Sequence, residues 1–218
     1  EGINTENRYD PDIKNANYKN SSGNYKIGTI TLQALQSNNS YTASLNSPFA
    51  RATYSGPAPL NMFVKKVLDI TVYSQTDNFF ERDNSVNYST GNYRFAAQTF
   101  NTMSICQMLV PGLYIMDSTR VNLTIDRNNR LKGEVLSGRL AMNANYFKNF
   151  RLGVSAGNGK PSQIDLFSKN IRLAGMRMDR SMVKISAMDN VVDAGFNFKN
   201  DSTENNRANL LGRVELYP

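Results

Sequence analysis

The chain has 218 residues, 40% of them hydrophobic and 10% aromatic, which suffices for a buried core and suits a globular protein. It has no His and one Cys, Cys106, which excludes His-containing triads, intrachain disulfides and thiolate zinc clusters. Net charge is +7, yet the 25 basic residues are scattered, with Lys65-Lys66 the densest pair, so no basic tract points to nucleic acid.

Asparagine occurs 29 times, disfavouring helix and favouring turns. No apolar run approaches the roughly 18 residues of a membrane helix. The chain begins EGINTENRYD, without an initiator Met or signal-like apolar region, as expected of a processed or trimmed chain from which any export signal or lipid-bearing Cys would be missing. Residues 1–24 are polar, Asn-rich and aperiodic, and read as a flexible tether. From Tyr25, YKIGTITLQAL, YTASL and FARATYS are strand candidates, and GPAP at 56–59 interrupts them. FVKKVLDITVYS (63–74) is rich in β-branched residues and predicts a strand from about Val67.

QTDNFFERDNSVNYSTGN reads as a loop. Its Phe79 and Phe80 either anchor a partner or tuck under the loop as a satellite of the core. YRFAAQTFNTMSICQMLV is a strand pair or a short helix; periodicity alone leaves both open. Cys106, in SICQMLV, reads as a buried, inert thiol.

After Pro111-Gly112, Val121, Leu123 and Ile125 alternate with polar residues, and Asn128-Asn129 suits a hairpin turn with positive φ. About eight strands separated by short turns are expected between 119 and 217, paired antiparallel and forming a closed barrel or a sandwich. Gly133, Gly153, Gly175 and Gly195 fall within strand patterns, and the alternation slips phase around Gly175 as at a bulge. Near the end, alternation through Phe198 and again from Leu210 flanks a polar hairpin loop, Asn200 to Asn209.

VNLTIDRNNRLKGEVLSG and GFNFKNDSTENNRANLLGRVEL carry a resemblance to the transferrin-binding-protein-like surface lipoproteins of Gram-negative bacteria. The first resembles the strand–turn–strand that opens that family's barrel. In the second, Gly195-Phe196, Glu204 and Leu211-Gly212 occupy places comparable to its closing strands. The resemblance implies an all-β fold with a β-rich N-terminal handle (25–115) and a C-terminal eight-stranded antiparallel β-barrel (116–218). Size, Asn content and absence of His are most similar to small single-lobed members that support host colonisation by a bacterial symbiont.

Family membership would imply lipid-anchored display on the outer membrane, delivered by a translocator of the surface lipoprotein assembly modulator type. It would imply a non-enzymatic protein without a cofactor, binding a host or bacterial surface protein or glycan. The alternative is a carrier of a small hydrophobic ligand or haem, although the His axial ligand of haem-capturing relatives has no counterpart here. An enzyme would need paired carboxylates; Asp69, Glu81, Asp126, Glu134 and Asp165 are candidates, and sequence brings no two together. Binding residues of such scaffolds lie mostly on loops, which selects Lys65, Lys66, Phe79, Phe80 and Arg82.

Overall fold

The computed structural model describes residues 6–20, 23–73, 75, 88–200 and 207–217. It is all-β, with fourteen strands in one antiparallel sheet. The first part comprises β1 (Glu6–Tyr9), β2 (Asp12–Asn20), β3 (Gly23–Ser37), β4 (Ser40–Asn46) and β5 (Ala50–Gly56). After an α-helix, α1 (Leu60–Leu68), and a π-helical turn (Asp69–Tyr73) come β6 (Tyr93–Thr99), α2 (Thr102–Leu109) and β7 (Leu113–Ile115). The rest is a run of hairpins: β8 (Arg120–Ile125), β9 (Leu131–Met142), β10 (Asn145–Gly157), β11 (Lys160–Leu173), β12 (Met176–Met188), β13 (Val191–Lys199) and β14 (Arg207–Glu215).

The strand order is β1-β3-β4-β5-β6-β8-β9-β10-β11-β12-β13-β14, with β2 on the edge of β3 beside β1 and β7 on β9. The sheet passes without a break through the β6–β8 pair, across the expected domain boundary at 116. Seven of the described strands lie between 119 and 217, where about eight were expected. Among the described strands β14 pairs only with β13, so the order is an open path and the expected closure into an eight-stranded barrel is not part of it.

Tight turns take up part of the Asn content. Among the described residues, twelve other than Gly have positive φ, and eight of these are Asn. Two-residue turns join β3 to β4 at Asn38-Asn39, β9 to β10 at Asn143-Ala144, β10 to β11 at Asn158-Gly159, and β12 to β13 at Asp189-Asn190. Such turns want residues that tolerate the left-handed region, and Asn does so at least cost after Gly. Gly175 lies in the Ala174-Gly175 turn between β11 and β12, not within a strand. The phase slips instead at Asn149 and Arg180, strand residues with φ of 47° and 46°. The slip brings Phe147 and Phe150, three apart in β10, into an edge-on ring contact at 5.8 Å.

These registers give the sheet two unlike faces, because side chains alternate along each strand. One transverse row runs through Ser44, Thr53, Asn122, Glu134, Asp165 and Lys184. The next row, on the opposite face, runs through Tyr54, Phe95, Leu123, Val154, Ile164 and Ile185. The polar rows face outward. The apolar rows build the core, with Tyr54, Phe63, Tyr93, Ile125 and Leu131 almost fully buried.

Residues 67–73, in the stretch expected as a strand from about Val67, form the end of α1 and the π-helical turn instead. Phe63, Val67 and Ile70 recur at helical spacing and lie against the apolar face. The Phe63 ring stacks on Tyr93 at 5.7 Å and meets Tyr54 at 5.5 Å. Deleting such a ring from a core costs about 3–5 kcal/mol. α2 supplies the helix left open in the second ambiguous stretch, and it buries Cys106 as expected. Residues 6–20, expected within a tether, form β1 and β2. Most of their described side chains are exposed, so backbone pairing with β3 holds them rather than an apolar stripe.

The segment after α1 also packs on the hairpin ends of the C-terminal half. The Ser162 hydroxyl donates to the Ile70 carbonyl at 3.3 Å, and the Asn190 amide donates to the Gln75 carbonyl at 2.9 Å. Next to it, Gly157 (φ 96°) lies so close to the β8–β9 turn that a Cβ would land on the Asn129 carbonyl oxygen. Both the dihedral and the contact demand glycine. Gly157→Ala is therefore expected to destabilise the fold by about 2–4 kcal/mol in urea titrations. A cost below about 0.5 kcal/mol would contradict this packing.

Candidate functional site

Of the five residues selected from the sequence, Phe79, Phe80 and Arg82 lie outside the described residues. Lys65 and Lys66 lie on α1 and diverge, because successive helical residues point about 100° apart. Lys65 is exposed. Lys66 is only 2% exposed, which removes its ammonium from the surface. Its Nζ donates to the Ser89 carbonyl at 3.0 Å and lies 4.9 Å from the centre of the Tyr93 ring. The Tyr93 hydroxyl donates to the same carbonyl at 2.7 Å. Lys66 thus belongs to the core.

Burial lowers the pKa of Lys66, and the neighbouring Asp69 offsets part of that shift. Burial raises the pKa of Tyr54 and of Tyr93. A lysine whose pKa falls on folding holds its proton less firmly in the native state than in the unfolded one. Its contribution to stability therefore rises as pH climbs toward the ordinary value of 10.5. Lys66→Met is expected to flatten that rise in denaturation midpoints measured from neutral pH up to pH 10.5. An unchanged slope would mean that Lys66 is not its source.

The surface the sequence did not assemble is the polar face of the last strands. On β11–β14 a trough of about 650 Å³ opens over Gly195, with Asp165, Lys184, Asn197, Leu211 and Arg213 among its walls. Gly195 sits between Lys184 and Leu211 in the cross-strand row, and its missing side chain leaves the floor low. Charges of both signs alternate across the strands here. Glu134 of β9 pairs with Arg151 of β10 at 2.8 Å, and Asp165 of β11 stands opposite Lys184 of β12. Asp193 of β13 holds Arg213 of β14 in a two-pronged contact at 2.8 and 3.1 Å. That hydrogen-bonded pairing holds the Asp193 carboxyl below its usual range and raises Arg213.

The stripe offers donors and acceptors side by side with its charges largely self-neutralised. It suits a neutral or mixed-charge polar ligand, such as a glycan or an extended peptide. Phe167 of β11, 38% exposed on the same face, adds an aromatic surface beside it. Further along that face, Arg51 of β5 and Arg120 of β8 flank Gln98 of β6, so part of the scattered positive charge gathers on three adjacent strands.

Of the candidate carboxylates, the register brings Glu134 and Asp165 into one row on either side of Gly153, and the others fall in separate settings. Asp69 is buried in the π-helical turn, and Glu134 and Asp165 belong to the stripe. Asp126 caps the β8–β9 turn, accepting the backbone amides of Asn128 and Arg130 at 2.9 and 3.0 Å. Glu81 lies outside the described residues. No signal along the chain could have gathered the stripe, because its members lie one per strand and meet only through register. The chain matches no known family, no curated protein and no solved structure.

Proposed function

We propose that this is a non-enzymatic binding protein of the bacterial surface, carrying its ligand site on the polar face of the sheet. The observation that carries the reading is the trough over Gly195. A floor without a side chain and walls of both charges lie on an exposed sheet face, where a partner has open access. Rigid strands hold these groups in fixed register, so the ligand meets a preformed surface.

The resemblance of VNLTIDRNNRLKGEVLSG and of the closing strands supports a more specific version. In it, β1–β7 with α1 and α2 correspond to a handle, and β8–β14 correspond in chain order to strands of a transferrin-binding-protein-like barrel, left open at the β14 edge. The protein is then an outer-membrane lipoprotein, anchored by lipid and delivered by a surface lipoprotein assembly modulator. It binds a host surface protein or glycan during colonisation.

The test is an array of host-surface glycans and proteins probed with the wild-type chain and with Gly195→Val. Valine suits a strand, and the nearest atom to a new Cβ is the movable Leu211 Cδ2 at 3.3 Å, so the variant should fold while filling the trough. Binding to at least one array member that falls about tenfold or more in Gly195→Val is the expected result. Equal binding by both chains would place the site elsewhere, and turnover of an array member would overturn the non-enzymatic reading.

A further inference from the structure

The two ends of the sheet are protected unequally. At one end β1 and β2 form an interrupted edge, with a register irregularity between Ile13 and Asn17 and positive φ at Asn15. Charged side chains and bulges of this kind discourage edge-to-edge pairing. At the other end β14 runs nine residues in unbroken register with β13, without Pro or bulge, and nothing described pairs with its outer edge. Leu210, Leu211 and Val214 on this strand are 62%, 84% and 56% exposed. An unbroken, unpaired edge about 30 Å long that exposes three large apolar side chains is a template for another strand.

The sequence of β14 matches itself when reversed. In an antiparallel pair of two β14 strands centred on Leu211, Arg207 of each copy stands opposite Glu215 of the other, giving two ion pairs by symmetry. On the same face Asn209 meets Arg213, and the two Leu211 side chains meet on the axis. On the opposite face each large side chain meets a small residue: Leu210 faces Gly212, and Val214 faces Ala208. Space for Leu210 exists, since a Cβ at Gly212 would touch nothing within 4 Å. The nearby charges leave the ion pair unopposed. Arg213 is already held by Asp193, and the Tyr217 hydroxyl donates to Glu215 while leaving its second oxygen available.

We infer that β14 pairs antiparallel with β14 of a second copy, joining two sheets into one through a two-fold axis at Leu211. An isologous interface of this kind closes on itself and removes the exposed edge, so it ends at the dimer. It also brings together the polar faces that carry the two troughs, because Leu211 and Arg213 wall the trough and belong to the shared strand. The dimer rests on strand pairing and charge, and stands whether or not the trough binds a glycan or protein.

The test is sedimentation equilibrium of the full chain over a wide concentration range, without any ligand. The wild-type chain is expected to dimerise. Arg207→Glu sets two carboxylates against each other twice and is expected to weaken the dimer about tenfold or more. The double exchange Arg207→Glu with Glu215→Arg restores the pairing and should recover association, a result that no unrelated interface would give. Circular dichroism and thermal melting establish that each variant is folded before its association is read. A wild-type chain that stays monomeric throughout would overturn the inference, as would a double exchange that associates as weakly as Arg207→Glu alone.

Discussion

Everything in this molecule depends on parity. A strand shows alternate residues to opposite sides, so one misplaced residue in any connection would turn an apolar row outward. Two-residue turns avoid this, because they pair residues three apart and carry the alternation across unchanged. Such turns carry the alternation from β9 through β11, and strand pairing carries it across the longer β5–β6, β6–β8 and β8–β9 connections, so Tyr54, Phe95, Leu123, Val154 and Ile164, drawn from five strands, share one face. Asparagine at positive φ is the local cost of such turns, which accounts for part of the Asn content. The same parity creates the polar face, so core and candidate site are two consequences of one register.

The core is strongest where a helix completes it. α1 lays Phe63, Val67 and Ile70 on the apolar face, and the segment that follows reaches the hairpin ends of the C-terminal half. Lys66 is tolerated inside because its ammonium finds the Ser89 carbonyl and the Tyr93 ring together. That lysine also hid the helix from the sequence. A charge at a core position interrupts the helical stripe, while Val67, Ile70 and Val72 look like strand residues. Asn149 and Arg180 hid the phase slip in the same way, since neither residue type advertises a left-handed backbone as glycine does.

From Arg120 onward, by contrast, most strands were legible, because alternation there is one-sided and the turns carry recognisable chemistry. β1 and β2 were not, since an edge strand exposed on both faces leaves no apolar signature. The charge stripe was invisible for another reason. Glu134, Arg151, Asp165, Lys184, Asp193 and Arg213 are unremarkable along the chain and become neighbours only across it. Loop residues were the natural first choice for a binding site, yet in this fold the broad accessible surface is a sheet face.

Among the described strands each chain is an open two-faced sheet whose last strand keeps a free edge. Amide hydrogen exchange at Leu210–Val214, followed as the protein is diluted, tests it most directly. Protection that is present at high concentration and fades on dilution, while β11 and β12 stay protected, is the predicted result. Protection of β14 equal to that of β12 at every dilution would mean that the chain closes its own edge, and would contradict the account.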